Sequence, residues 1–221
     1  ELFDGQNIQT DIEIAGLTAD SRNVEPGYVF AALSGVARDG RDFVPQALEK
    51  GAVAVLSAAP VDTGNAVLIL DNEPRQALAK AAARFYPQQP EHIVAVTGTN
   101  GKSSTVDFLR QIWTTLGLCG ASMGTLGAIG PDGSIDLGHT TPDPVAIHKT
   151  LSSLVDSKVS HVAMEASSHG LVQYRLDGVK LSAVAFTNLT QDHLNYHASF
   201  DDYRAAKLRL FMELAPKGAA A

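Results

Sequence analysis

The residues best equipped for chemistry lie in Gly98-Thr99-Asn100-Gly101-Lys102-Ser103-Ser104. Glycines let backbone N–H groups approach phosphate oxygens, a lysine reaches the outer phosphates, and a serine hydroxyl can ligate Mg²⁺. Such a loop needs a strand before it and a helix after it. The apolar run His92 to Thr97 and the helical pattern of Val106, Leu109, Arg110 and Trp113 supply both. The general phosphate-loop pattern would place Gly where this chain has Val96, so the match is to a shorter Gly-Thr-Asn-Gly-Lys variant. The plain alternative is an ordinary glycine turn opening a helix.

Other groups could complete a site around that loop. Glu165 ends the run Val162-Ala163-Met164, and an acid at the carboxyl end of a buried strand can reach a Mg²⁺ that bridges nucleotide phosphates. A solvent-facing or helix-capping glutamate is the alternative there. Thr187 to His197 follows the strand-like Ala183-Val184-Ala185-Phe186, a position from which loop residues face ligand in parallel sheets. Within it, Asp192-His193 reads equally well as a helix cap. Lys207 shares a helical face with Tyr203 and Leu210, and spacing alone makes it a solvated lysine. Thr140-Thr141 ahead of Pro142 reads as a helix start.

The elements that must hold these groups point to an α/β class. Apolar stretches at His92 to Thr97, His161 to Glu165 and Leu181 to Thr187 each precede a turn and helical patterning, which implies a mostly parallel sheet. Tyr28 to Leu33 and Ala52 to Leu56 read as short buried strands, with helices over Phe43 to Lys50 and Glu73 to Tyr86. The chain has 221 residues, more than one unit of about 150 and fewer than two. The polar, twice-proline stretch Tyr86-Pro87-Gln88-Gln89-Pro90 marks a boundary, giving a small α/β recognition domain over 1–88 and the start of a phosphate-loop domain over 89–221. All seven histidines lie beyond that boundary, so metal and acid–base chemistry is expected there. A net charge of −7 argues against a general nucleic-acid or acidic-membrane binder. Any anionic ligand must be held by local geometry. One cysteine, Cys119, excludes an internal disulfide framework and fits a reducing compartment. No apolar run approaches 18 residues, and both ends read as cut, with Gly218 to Ala221 expected to open a further strand.

Taken together, several motifs resemble the Mur ligases, most closely the MurE type. They are the Gly98 to Ser103 loop, His139-Thr140-Thr141-Pro142, Glu165-Ala166-Ser167-Ser168-His169-Gly170 with Gln173-Tyr174-Arg175, and Asp192-His193-Leu194-Asn195-Tyr196-His197. Leu17 to Arg22 and Gly27 to Gly35 are similar to that family's uridine-binding domain. The resemblance implies a cytoplasmic, monomeric, ATP-dependent ligase of peptidoglycan precursor synthesis. It would add an amino acid, meso-diaminopimelate by family frequency, to UDP-N-acetylmuramoyl-L-alanyl-D-glutamate through an acyl phosphate. It also implies roles: Ser21 and its loop at the uracil, Ser34 to Gly40 near the diphosphate, and Thr140, Thr141, Ser167, Gln173 and Arg175 on the muramoyl-dipeptide. Glu165 and His193 would ligate Mg²⁺ with Ser103, and Lys102 would act on ATP. Lys207 matches the family lysine carbamylated by CO₂ to N6-carboxylysine, which replaces the solvated-lysine reading. The family's amino-acid-selecting C-terminal domain has no counterpart here, so this chain is expected to be inactive alone. The alternatives are a MurF-type or folylpolyglutamate ligase, or a module that holds a UDP-sugar or nucleotide without turnover.

Overall fold

The structure is a computed structural model that describes residues 2–3, 12–35, 38–190 and 196–218. The chain divides into two compact units, Glu1–Phe85 and Tyr86–Ala221. In the first, β1 (Gly16–Thr18), β2 (Tyr28–Ala31), α1 (Val44–Glu49), β3 (Ala54–Ser57), β4 (Val67–Leu70) and α2 (Pro74–Phe85) follow in order. The four strands form one parallel sheet in sequence order. Phe30, Val44, Ala47 and Val55 pack into a core on this sheet, each almost wholly withdrawn from water. Two turns on either side of the strand-loop region are fixed by short-range ion pairs. Arg22 and Arg41 each close on the aspartate two residues earlier, Asp20 and Asp39. The guanidinium hydrogen bonds hold the Asp39 carboxyl down to about 2 and lower that of Asp20.

The second unit runs β5 (His92–Thr97), α3 (Lys102–Thr115), β6 (Gly120–Gly124), β7 (Gly127–Gly130), β8 (Gly133–Ile135), α4 (Pro144–Asp156), β9 (His161–Glu165), α5 (Ser168–Val172), β10 (Ala183–Phe186) and α6 (Phe200–Arg209). A π-helical turn, Leu210–Leu214, follows α6. The sheet order is β10-β5-β9-β6-β7-β8, parallel through β6 and antiparallel across the two last strands. Register aligns Thr97 with Phe186, and Val96 with Glu165. Four adjacent parallel strands therefore deliver the loops after Thr97, Gly124, Glu165 and Phe186 to one rim, where ligands of such sheets bind. Below the rim Ile93, Met123, Val162 and Met164 meet Ile147 and Leu151 of α4. Burying side chains of this size stabilises by about 1.5–3 kcal/mol each, so the rim rests on a rigid base.

Helix α4 corrects one expectation. Thr140-Thr141 does not start it. The cap is Asp143, whose carboxylate accepts from the N–H groups of Val145 and Ala146 at 3.0 and 3.1 Å, and Pro144 takes the first turn. An aspartate followed by proline satisfies the orphan N–H groups better than the earlier threonines could. The expected strand over Gly218 to Ala221 falls largely on residues 219–221, outside the described residues. Among the described residues no helix is long and apolar enough to cross a membrane.

Candidate active site

The loop after β5 takes its shape from two glycines. Gly98 has φ +140° and Gly101 φ +86°, and a Cβ on Gly98 would stand 1.9 Å from the Thr187 hydroxyl. The loop after β10 presses against it there. Thr187 Oγ1 donates to Asn100 O at 2.6 Å, Asn188 Nδ2 donates to the same oxygen at 3.0 Å, and Thr99 N donates to Asn188 O at 2.8 Å. Thr187, Asn188 and Thr190 thus hold the loop, whereas their position after a strand had suggested that they face ligand. Thr99 is also held from α6, by a 2.9 Å hydrogen bond between its hydroxyl and that of the fully buried Tyr203. The first turn of α3 then presents Lys102, Ser103 and Ser104, with Ser104 exposed. Lys102 Nζ donates to Gly98 O and Thr99 O at 2.9 and 2.8 Å.

Lys207 reaches the same loop from α6. Its side chain is 1% exposed, its Nζ donates to Gly98 O at 2.7 Å and lies 4.5 Å from the centre of the Tyr203 ring. The solvated-lysine reading from helical spacing is therefore wrong. Glu165 is 2% exposed and does not face solvent, with Oε1 accepting from Thr125 N at 2.8 Å. Its carboxylate lies over Gly124, where a Cβ would come within 2.1 Å of Oε1. The glycine is the space the carboxylate occupies. One carboxylate and the Ser103 hydroxyl at the mouth of a phosphate loop are oxygen donors of the kind Mg²⁺ accepts alongside waters and nucleotide phosphates. Among the described residues no cluster of three or more His, Cys, Asp or Glu is arranged to hold a metal by itself. His193 lies outside the described residues.

Opposite the phosphate loop, Thr141 Oγ1 donates to Glu165 O and accepts from Ser167 N, both at 3.0 Å. Ser167 caps α5 by accepting from Gly170 N. Arg175 follows α5, with Nη1 donating to Thr141 O at 2.5 Å and Nε and Nη2 to Gln173 Oε1. A cleft of about 400 Å³ is lined by Thr99 to Ser103, Thr125, His139 to Thr141, Glu165, Ser167 to His169, Arg175 and Lys207. Gln173 is absent from that lining. It supports Arg175 and donates to the Tyr196 hydroxyl at 3.0 Å. Thr125 was missed because β6, the strand that delivers it, was not recognised; a polar residue just past a parallel strand was the available signal.

The first unit has its own pocket of about 550 Å³, lined by Ser21, Arg22, Phe30, Arg38, Phe43 and Gln46 among others. Ser21 is 6% exposed and its hydroxyl donates to Gln46 Oε1 at 2.7 Å. Gly35, Arg38 and Gly40 reach the same pocket, while residues 36 and 37 of that loop lie outside the described residues.

Residues 96–221 match the Mur ligase middle domain, and residues 13–86 match the catalytic domain of the Mur ligase family. The chain belongs to the Mur ligase family. It is 53% identical over 214 residues to the UDP-N-acetylmuramoyl-L-alanyl-D-glutamate--2,6-diaminopimelate ligase of Brucella melitensis, covering 96% of this chain and 44% of that protein. The ligase of the same name from Caulobacter vibrioides is 53% identical over 219 residues, 96% of this chain and 45% of that one. The Mur ligase chain described here thus spans less than half the length of these relatives. A solved structure of a ligase of that name superposes with a TM-score of 0.78 at 32% identity, covering 94% of this chain and 42% of the other. MurF from Acinetobacter baumannii shares the Mur ligase fold, with a TM-score of 0.64 at 24% identity over 96% of this chain and 44% of its own. The α/β, mostly parallel architecture is that of these neighbours.

Proposed function

We propose that this chain carries the acceptor-recognition and phosphate-transfer parts of an ATP-dependent ligase that joins meso-diaminopimelate to UDP-N-acetylmuramoyl-L-alanyl-D-glutamate. The observation that carries the reading is the convergence of Lys102, Ser103, Glu165, Arg175 and Lys207 on one cleft at the carboxyl rim of a parallel sheet. The names of the relatives at 53% identity supply the substrate pair.

The chemistry to be solved is the inertness of a carboxylate toward an amine. The acceptor carboxylate attacks the γ-phosphorus of ATP, the bond to ADP breaks, and the amine then displaces phosphate from the acyl phosphate. Two anions must meet in the first step. The Lys102 ammonium and the N–H groups of the phosphate loop offset that repulsion and stabilise the charge that grows on the transferred group. Ser103 and Glu165, with His193, would hold Mg²⁺, which when bound neutralises phosphate charge. Arg175 offers a planar pair of N–H donors to the acceptor carboxylate, beside the hydroxyls of Thr140, Thr141 and Ser167. The Ser21 pocket would take the uracil end. Lys102 and Lys207 both press on the carbonyl of Gly98, and two ammonium groups so placed repel. Carbamylation of Lys207 by CO₂ would turn that repulsion into attraction and give a carboxylate-like group facing the cleft.

The test is phosphate release by a polypeptide of the relatives' full length that carries this sequence. Release should require ATP, the UDP-muramoyl-dipeptide and diaminopimelate together. Turnover on UDP-muramoyl-tripeptide in place of the dipeptide would overturn the assignment, and ligand binding without release would reduce the chain to a binding module.

A further inference from the structure

Arg175 reaches the cleft from a turn whose backbone is unusual. Helix α5 ends at Val172, and Tyr174 sits just beyond it at φ +58°. Tyr174 N donates to Leu171 O at 3.2 Å and Arg175 N to Gly170 O at 2.9 Å, closing the helix as a left-handed cap of the kind glycine normally makes. A tyrosine there accepts a steric cost that glycine avoids, so its side chain must return something. Its ring lies beneath the guanidinium of Arg209, 4.4 Å from ring centre to Cζ.

Arg209 comes from α6 with its side chain only 11% exposed, and it uses every edge of its plane. Nη1 donates to Leu171 O at 2.9 Å, Nη2 to Asp177 Oδ2 at 2.8 Å, and Nε to Glu213 Oε2 at 2.7 Å. The Asp177 side chain is 6% exposed, and the carbonyl of Asp177 meets His148 Nε2 at 3.1 Å. One planar cation therefore grips a carbonyl of α5, the far end of the turn, and the face of the strained residue between them. Arg175 projects from inside that grip. We propose that Arg209, stacked on Tyr174, is a positioning residue that fixes the turn from Gln173 to Asp177 and so aims Arg175 at the acceptor's carboxylate. This rests on the reading of Arg175 given above. A lysine at 209 would keep the charge toward Asp177 but could not also bond Leu171 in the same plane or stack on the ring.

Steady-state kinetics on the full-length polypeptide, with thermal unfolding to count folded enzyme, test this. Arg209→Lys should raise the acceptor KM about tenfold and leave the ATP KM within about twofold. Tyr174→Gly keeps the left-handed backbone but loses the ring, and should raise the acceptor KM in the same way, whereas Tyr174→Phe should restore the parent value. Arg175→Ala alone should raise the acceptor KM, and adding Arg209→Lys to it should raise it no further. An acceptor KM unmoved by Arg209→Lys, when Arg175→Ala does move it, overturns the positioning role and leaves the reading of Arg175 intact. A silent Arg175→Ala overturns both. A fall in folded fraction with both KM values unchanged assigns Arg209 to stability alone and also overturns it.

Discussion

Lys102 and Lys207 stand 105 positions apart, yet both donate to the carbonyl of Gly98, at 2.9 and 2.7 Å. Their side chains differ in what can replace them. Lys102 belongs to the phosphate loop itself, so Lys102→Ala should cut ATP-dependent phosphate release by about 10³-fold or more, with UDP-acceptor binding measured by calorimetry little changed. Retained turnover would refute the role. Lys207 is a side chain whose proposed working form is a carbamate, so Lys207→Ala should lose activity that acetate or propionate partly restores and methylamine does not. Rescue by the amine and not the acid would identify an ammonium as the working group. The contrast also explains what was legible. Lys102 announces itself because its partners are its sequence neighbours. Helical spacing describes only a residue's own helix, and the partner of Lys207 lies in the loop after β5, so its burial against that loop could not be read from spacing. Gln173 belongs to a motif that resembles the family's, and its side chain bonds both Arg175 and the Tyr196 hydroxyl.

Elements with a strong internal pattern were readable, and those shaped by their neighbours were not. The runs His92 to Thr97 and His161 to Glu165 are the strands β5 and β9 to the residue, since a strand buried on both faces is continuously apolar. Strand β6 is Gly-Ala-Ser-Met-Gly, fully buried yet with one large side chain and no β-branching, and β8 is exposed along its length. Neither carries a signal above a loop. The strand order β10-β5-β9-β6 was equally hidden, because it depends on which strands lie side by side. Helix α4 was concealed by reading its start two residues early. Its true cap supplies a direct check: Asp143 is exposed and bonds two N–H groups. Asp143→Ala should therefore lower the unfolding free energy by about 1 kcal/mol, while Asp143→Ser should recover most of the loss. Urea denaturation measures both. No change in Asp143→Ala would mean that the helix start is held by Pro144 and tertiary packing alone.

At the scale of the whole chain, charge and burial pull stability in opposite directions as pH falls. The formal charge is −7 with the seven histidines neutral, so protonating histidines brings the chain nearer neutrality and relieves self-repulsion. His148 opposes this. It is fully buried in α4 under the turn that carries Arg175, its Nε2 bonded to the carbonyl of Asp177 and its Nδ1 without a hydrogen-bond partner. Because a carbonyl only accepts, Nε2 carries a proton, and with Nδ1 buried away from any acceptor the site favours the neutral ring. Burial lowers its pKa below the ordinary 6.5. Desolvation, with a smaller contribution from His92, lowers that of His161 as well. A lowered histidine pKa means that the unfolded chain binds more protons than the folded one below 6.5. Stability is then fully present above that pH and is lost as pH falls toward the folded-state values. One such group sets a limiting slope of about 1.4 kcal/mol per pH unit, larger than surface charge relief supplies for an exposed histidine. Unfolding free energy from urea titrations should therefore decline between pH 7 and 5.5 despite the shrinking net charge. His148→Gln, whose amide can still donate to the Asp177 carbonyl, should make that decline shallower and leave the contribution of His161. An equal slope in parent and variant would show that the ring is already protonated in the folded state, which the carbonyl bond to Nε2 would allow only if Nδ1 had found an acceptor.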